Sequence, residues 1–553
     1  MKSMKDIVLL IALISLVAVG TATAAEVLVT DNIATSTVWT ADNTYNLQKQ
    51  IYVLPGATLT IEAGTIIAST PTTDGAGSLA VCRGGRLYAN GTARKPIVMT
   101  STNDDFKNWR EACNEWGNLT IMGNGLISSY KYGGVVKTYK DGYDASGVTN
   151  TALLDGVDKR VMEGLTADAE GDPKVLYGGN DDNDNSGSIS YLSIRYGGRV
   201  VGLTNELNGL SLGGVGRETD IDHIDIMNNV DDGIEIWGGT VNLKYVNIWN
   251  VGDDSFDVDQ GWRGKAQYVL VVQGYSADAS QGSGVGDNAF EMDGAEDSDA
   301  QPVTTIAVYN ATVIGQPMHG DHGTAWRDNA RAQFRNCIFM DLGEQLIKKD
   351  NVDGDGGQGY GYNGTLSWES TWTSSYAEAW NKSNSHTGGH GNANGYTANQ
   401  LQAVYPVQTS GNLAEISDSV FYRNLFNKAY TDYNSLSALS GSNNINNIVA
   451  TEMPIKDIVR VSEVQTKGGL YMVPVIYIDP RATNDAATSI SAAPADGFFT
   501  PAQYRGAFNA YDNWLEGWTA AYQYGMTGVQ GDINGDEQVN MEDLSVLSEN
   551  WLL

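Results

Sequence analysis

Apolar and polar residues alternate in short runs along most of the chain, and Gly, Asn and Asp fill the gaps between runs. ATLTIEAGTIIAS from Ala57, GSLAVCRGGRLYANG from Gly77, PIVMTS from Pro96, NLTIMGNGLISS from Asn118 and SISYLSIRYGG from Ser188 all have this form. A period of two over four to eight residues predicts strands with one face buried, and no amphipathic helical pattern separates them. The class is all-β.

The runs repeat. NVDDGIEIWGG from Asn229 aligns with NVGDDSFDVDQG from Asn250 at an offset of 22 residues, pairing Asp231 with Asp253, Asp232 with Asp254 and Glu235 with Asp257. GDNAFEMDG from Gly286 follows at an offset of 34, as if one coil carried a loop insertion, and GDHGTAW from Gly320 repeats that offset. A second column accompanies the first: DHIDIMN from Asp222, KYVNIWN from Lys244, QYVLVVQ from Gln267 and RNCIFM from Arg335. Two short strands per repeat with glycine corners predict a right-handed parallel β-helix solenoid. A β-sandwich also has short strands and turn signals, but unequal insertions that keep the register suit a solenoid better.

The expected layout is a β-helix over 26–450, long Gly/Asn/Ser-rich loops at 351–395, an aromatic-rich capping region at 451–526 packed over the open end, and a separate tail at 531–553. Residues 1–24 read as a signal peptide. Lys2 and Lys5 precede the apolar run IVLLIALISLVAVG, which is too short to span a bilayer, and Ala22-Thr23-Ala24 supplies small residues for cleavage. No other window is apolar enough for a membrane span, so a secreted, extracellular or cell-surface protein is expected.

Charge narrows the partners. There are 66 acidic against 34 basic residues, a net charge of -32, which argues against nucleic acid and anionic membranes. A polyanionic ligand would require bridging cations, and calcium is the abundant one outside the cell; solubility in salt is the other reading of the charge. Three cysteines exclude a disulfide framework. Cys82 and Cys113 are a possible pair in an oxidising compartment, and Cys337 reads as core.

In the tail GDINGDEQVNMEDLSVLSENWLL, Asp532, Asn534, Asp536, Asn540 and Asp543 fall at positions 1, 3, 5, 9 and 12 of a calcium loop, with the Gln538 carbonyl at position 7. Leu544, Leu547 and Trp551 then share one helical face. This tail resembles one repeat of a dockerin, an EF-hand-type module that plugs secreted proteins into cohesin domains, although dockerins carry two repeats and Glu537 stands where the loop has glycine. The resemblance implies calcium as cofactor and a cohesin-type partner.

Coil register creates a second constellation. In-register residues on adjacent coils lie about 4.8 Å apart, so Asp231, Asp253, Asp287 and Asp321 form one file and a possible second cation site, while Asp232, Asp254, Asn288 and His322 form the next. Stacked carboxylates need either a cation or a retained proton. Asp257 and Asp259 alternate with Phe256 and Val258 and read as the solvent face of a strand. NNVDDGIEIW followed by NVGDDSFDV resembles the paired aspartate motifs of polygalacturonases, inverting β-helix hydrolases, which implies Asp232, Asp253 and Asp254 as catalytic carboxylates; the family's Gly-His-Gly and Arg-x-Lys are absent from the matching coils. A calcium-dependent lyase, with Arg263, Lys265 or Arg327 as base, is the alternative reaction.

A broader resemblance covers Val27 to Gly525. TLTIEAGT, NDDNDNSGSISYLSIRYGG, ELNGLSLGGVG, GDDSFDVDQGWRGKAQ and DGFFTPAQYRGAF are similar to a widespread group of secreted bacterial β-helix proteins without assigned activity. It implies fold and export but no reaction. Three functions therefore stand at this point: a glycan-associated calcium-binding protein, a polysaccharide hydrolase or lyase, and a structural or adhesive spacer. Trp237, Trp249, Trp262 and Trp326 are either stacking platforms for a polysaccharide or coil packing. His319, His322, His386 and His390 form HxxH and HxxxH pairs that read as exposed loop histidines before zinc ligands.

Overall fold

The structure, a computed structural model, describes residues 25–72, 76–128, 159–169, 171–202, 205–274, 286–294, 302–320, 322–327, 330–349, 368–376, 405–424, 445–467, 469–528 and, in the tail, 539, 541 and 545. The expected signal peptide, the six tail ligands, Asp321, His386 and His390 lie outside these residues.

Parallel strands stacked coil on coil make up the body. One sheet of nine strands runs Gln50–Val53, Ser78–Val81, Leu119–Met122, Leu210–Gly213, Ile234–Trp237, Phe256–Asp259, Phe290–Asp293, Thr324–Arg327 and Ile347–Lys349, every neighbour paired in parallel. The expected offsets hold: Ile234 pairs with Phe256, Phe256 with Phe290, and Glu291 with Ala325. The second column forms the long strands Gly187–Arg195, Asp220–Asn229, Asn242–Val251, Lys265–Val272 and Thr305–Ile314. The fold is the expected all-β parallel β-helix solenoid.

Period-two alternation builds the interior. Leu210, Ile234, Phe256 and Phe290 make one inward file, and Leu212, Ile236, Val258, Met292 and Trp326 the next, all at or near zero exposure. The long strands turn a corner part-way along, at Tyr191, His223, Tyr245, Tyr268 and Asn310, whose φ values lie between 50° and 60° or within a degree or so of that range. Such a conformation costs a non-glycine residue on the order of 1–3 kcal/mol. Ring stacking between coils offsets it: centroids are 4.0 Å apart for Tyr191 and His223, 4.3 Å for His223 and Tyr245, and 4.8 Å for Tyr245 and Tyr268, each pair contributing roughly 0.5–1.5 kcal/mol.

Residues 451–526 were expected over the open end. They run instead along the flank of the long strands. Asn336 donates to Ser491 O, Asn310 to Tyr504 O and Gln267 to Thr500 O, while Asp225 accepts from Ala520 N at 2.8 Å and Arg195 donates to Gln523 Oε1 at 2.6 Å. Met227, Trp249, Leu270 and Ile314 form an apolar seam beneath this strap with Ile455, Ile478, Phe508 and Leu515. The long strands are therefore apolar on both faces, and only a chain segment lying lengthwise covers them all.

Within the expected loop at 351–395, Trp368–Thr373 is an α-helix that sets Trp372 against Trp326, ring centroids 5.3 Å apart. Cys82, Cys113 and Cys337 are all buried and none is in a disulfide, so the possible Cys82–Cys113 pair is not formed. Among the described residues no helix is long and apolar enough to cross a membrane.

Candidate functional site

The outward face of the nine-stranded sheet changes chemistry along the solenoid. Its register gives the file Tyr52, Ala80, Thr120, Ser211, Glu235, Asp257, Glu291, Ala325, Lys348. Beside it, Trp237 pairs with Asp259 and Asp293 with Arg327. A strand spacing near 4.8 Å thus stacks Glu235, Asp257 and Glu291 directly on one another. The first coils of this face are covered by an apolar cluster that includes Met162, Leu165, Val175 and Leu207. The same covering segments bring Glu163 and Glu206 over the acidic coils, where burial first, then the charges of Asp253, Glu163 and Glu206, raise the carboxyl pKa of Asp231.

Asp257 is therefore not on a solvent face. It is 6% exposed, and Asp232, Glu235 and Asp257 each place a carboxylate oxygen within 4.8 Å of the other two. A second group, Asp231, Asp232 and Asp253, meets the same distance. Of the file expected to bind a cation, Asp231 and Asp253 come together with Asp232, and Asp287 hydrogen-bonds Asp253. Glu235, Asp257, Glu291 and Asp293 were missed as site residues although the repeat aligns Glu235 with Asp257. Recurrence of a carboxylate at one outward register position was the available signal.

Burial, then neighbouring carboxylates, pushes Asp232, Glu235, Asp253 and Asp257 toward protonation. Asp232 is raised well above its ordinary value by burial and then by Asp231, Glu235, Asp257 and Asp254. Asp257 is raised by burial and then by Glu291 and Asp259, with Arg327 opposing. Glu235 is raised by burial and then by Glu163 and Asp257. Asp253 is raised by burial and Glu291 to about 6, and Glu163 by burial and Glu206 to about 7. Arg327 closes the row, bonding Asp293 Oδ1 at 2.6 Å and forming an ion pair with Glu291.

The three expected catalytic carboxylates divide. Asp232 Oδ1 accepts from Asp254 N at 2.8 Å, and Asp254 Oδ1 accepts from Asn288 N at 2.5 Å. Asn288 Oδ1 then meets His322 Nδ1 at 3.1 Å. The file Asp232, Asp254, Asn288, His322 exists as expected, and it works as a hydrogen-bonded ladder that ties each turn to the next coil. Asp253, part-exposed and hydrogen-bonded by Asp287, is the member of the three open to other chemistry.

Other candidates are placed elsewhere. Arg263 is 1% exposed and forked onto Asp182 at 2.6 and 2.8 Å, and Lys265 pairs with Asp496 at 2.6 Å, so neither serves as a base at this row. Trp249, Trp262 and Trp326 are fully buried and Trp237 is 5% exposed, which makes all four packing residues and not sugar platforms. His322 is buried, contrary to the exposed loop expected, and His319 Nδ1 accepts from Tyr471 N at 2.6 Å.

One atom distinguishes this row from a merely crowded surface. Asp257 Oδ1 is buried and no N–H or hydroxyl donor reaches it, the Asp257 carboxyl being hydrogen-bonded to the Glu235 carboxyl of the same triad, whose oxygens lie at cation-bridging distance. A hard divalent cation with oxygen ligands fits that donor set. Residues 31–150 and 156–406 match the family model described as a pectate-lyase like beta helix domain. The chain belongs to that family. No curated protein and no solved structure matches it. In this pectate-lyase-like domain the acidic row, its Arg327 terminus and the cover carrying Glu163 and Glu206 all lie within the matched residues.

Proposed function

We propose that this chain is an extracellular, glycan-associated β-helix protein that binds calcium among Asp232, Glu235 and Asp257 and holds acidic polysaccharide through it. The observation that carries the reading is the buried Oδ1 of Asp257, which no N–H or hydroxyl donor reaches, in a carboxylate group within 4.8 Å of two others. A buried acceptor left unmade costs about 1–3 kcal/mol, more when charged, and a cation removes that cost. The membership in a pectate-lyase-like family supports the glycan association. A carboxylated polymer suits a chain of net charge -32 only when a cation bridges the two.

The tail adds attachment. Asp532, Asn534, Asp536, Gln538, Asn540 and Asp543 supply a second calcium loop, and the face Leu544, Leu547, Trp551 supplies an apolar contact for a cohesin-type partner. Calorimetry with calcium on the full chain tests both sites together. Two classes of site are expected, with Asp532→Ala removing one and Asp257→Asn the other; an isotherm unchanged in both variants rejects the cation reading.

A hydrolytic or lyase activity rests on Asp253, whose carboxyl near 6 would suit a general acid, with Arg327 beside the row. Asp232 and Asp254 support turns, so the favoured reading is binding. Polygalacturonate, alginate and neutral glycans incubated with calcium discriminate the two: retention on affinity gels without reducing ends or unsaturated products is expected. Product formed by the wild type and lost in Asp253→Asn would replace binding by catalysis.

A further inference from the structure

A groove of about 700 Å³ lies on another side of the molecule, between the coil edge at 94–98 and the strap at 517–523. Its lining contains Arg94 and Lys95 but no Asp or Glu, in a chain with 66 acidic against 34 basic residues. Among the described residues neither cation has an ion-pair partner. Phe106 and Tyr522, both part-exposed, bring two rings to the same walls.

The groove is preformed. Ala520 N donates to Asp225 Oδ2 at 2.8 Å, and Tyr524 OH donates to Asp104 Oδ1 at 3.0 Å, which anchors the strap on both sides of Tyr522 and Gln523. At Gly517 the strap comes so near the coil that an added Cβ would sit 3.1 Å from Ala93 O. Arg195 is a donor only, so the Gln523 atom that it meets at 2.6 Å is the carbonyl oxygen, and the amide NH2 remains as a further donor on a lining residue.

We infer that this groove binds a small ring-bearing carboxylate, with Arg94 and Lys95 on the carboxylate and Tyr522 and Phe106 against the ring. Two adjacent cations match one carboxylate, and a planar guanidinium can take it through two parallel hydrogen bonds. Beyond about 8 Å the salt of physiological solution screens the net charge of the chain, so a monoanion meets the local cations. Acidic sugars and aromatic carboxylic acids share this chemistry. The inference does not depend on the cation row, which belongs to the nine-stranded sheet, whereas the groove borders a strand of the other large sheet.

Calorimetry of the full chain in EDTA tests it, with glucuronate, benzoate, glucose and sulfate as probes. A dissociation constant on the order of 1 mM is expected for at least one of the two carboxylates, as suits a ligand of that size, with no binding of glucose and weaker binding of sulfate. Tighter binding of glucuronate than of benzoate assigns the groove to acidic sugars, and the reverse to aromatic acids. Arg94→Ala/Lys95→Ala, an exposed pair whose loss should leave the unfolding midpoint unchanged, should weaken binding at least roughly tenfold. Asp257→Asn should leave it unaltered. Equal binding of glucose and glucuronate, equal binding of sulfate and both carboxylates, full affinity in the double variant, or no binding of any probe at roughly ten times that concentration overturns the inference.

Discussion

Asp257→Asn separates a cation site from a structural acid because the two give opposite results without calcium. The oxygens of Asp232, Glu235 and Asp257 lie within 4.8 Å of one another, and two unit charges at that distance repel by roughly 3–4 kcal/mol at an effective dielectric near 20. Proton uptake relieves part of this in metal-free protein, so removing the Asp257 charge in EDTA at pH 7 should raise stability by about 1–3 kcal/mol. With calcium at about 100 times its dissociation constant the wild type gains about 2.7 kcal/mol, whereas a variant with affinity weakened about 100-fold gains about 0.4 kcal/mol. The advantage of the variant should therefore shrink by about 2.3 kcal/mol on adding calcium. Urea unfolding followed by fluorescence of the buried Trp116, Trp249, Trp262 and Trp326 measures it. A variant less stable than wild type in EDTA, with the same calcium increment, refutes the reasoning and makes Asp257 a structural residue.

Stability in EDTA should fall as pH rises from about 4.5 to 7.5. Asp253 and Glu163 have folded values of about 6 and about 7, above their ordinary 3.8 and 4.5, so the folded state holds more protons across this window and loses stability as they leave. Calcium should flatten that profile, and a rise over the same window in EDTA contradicts it. Arg331→Met should stabilise the protein by about 1–3 kcal/mol, because Arg331 is fully buried, none of its side-chain nitrogens has a hydrogen-bond partner, and burial lowers its pKa to about 10. A lowered urea midpoint in that variant would mean that the guanidinium is satisfied in solution.

The sequence alone determined the solenoid and its register. Alternation of period two says which side chains of Ile234–Trp237 or Phe256–Asp259 point inward, and the offsets of 22 and 34 say which residues stack, since parallel pairing couples each coil only to its neighbours. The ladder from Asp232 to His322 was legible for the same reason. Tertiary structure decided what covers each face. Asp257 alternates with core residues as an exposed carboxylate would, yet segments more than fifty residues earlier in the chain bring Glu163 and Glu206 over its row and remove it from water. Of the tryptophans read as possible platforms, Trp262 and Trp326 lie inside the helix, Trp249 beneath the strap and Trp237 under the cover, and the 451–526 region lies along the flank because the long strands are apolar on both sides. Neither the cover nor the strap repeats with the coils, so no periodicity announces them. Burial, and with it the raised pKa of Asp232, Glu235 and Asp257, depends on contacts between segments far apart in the chain.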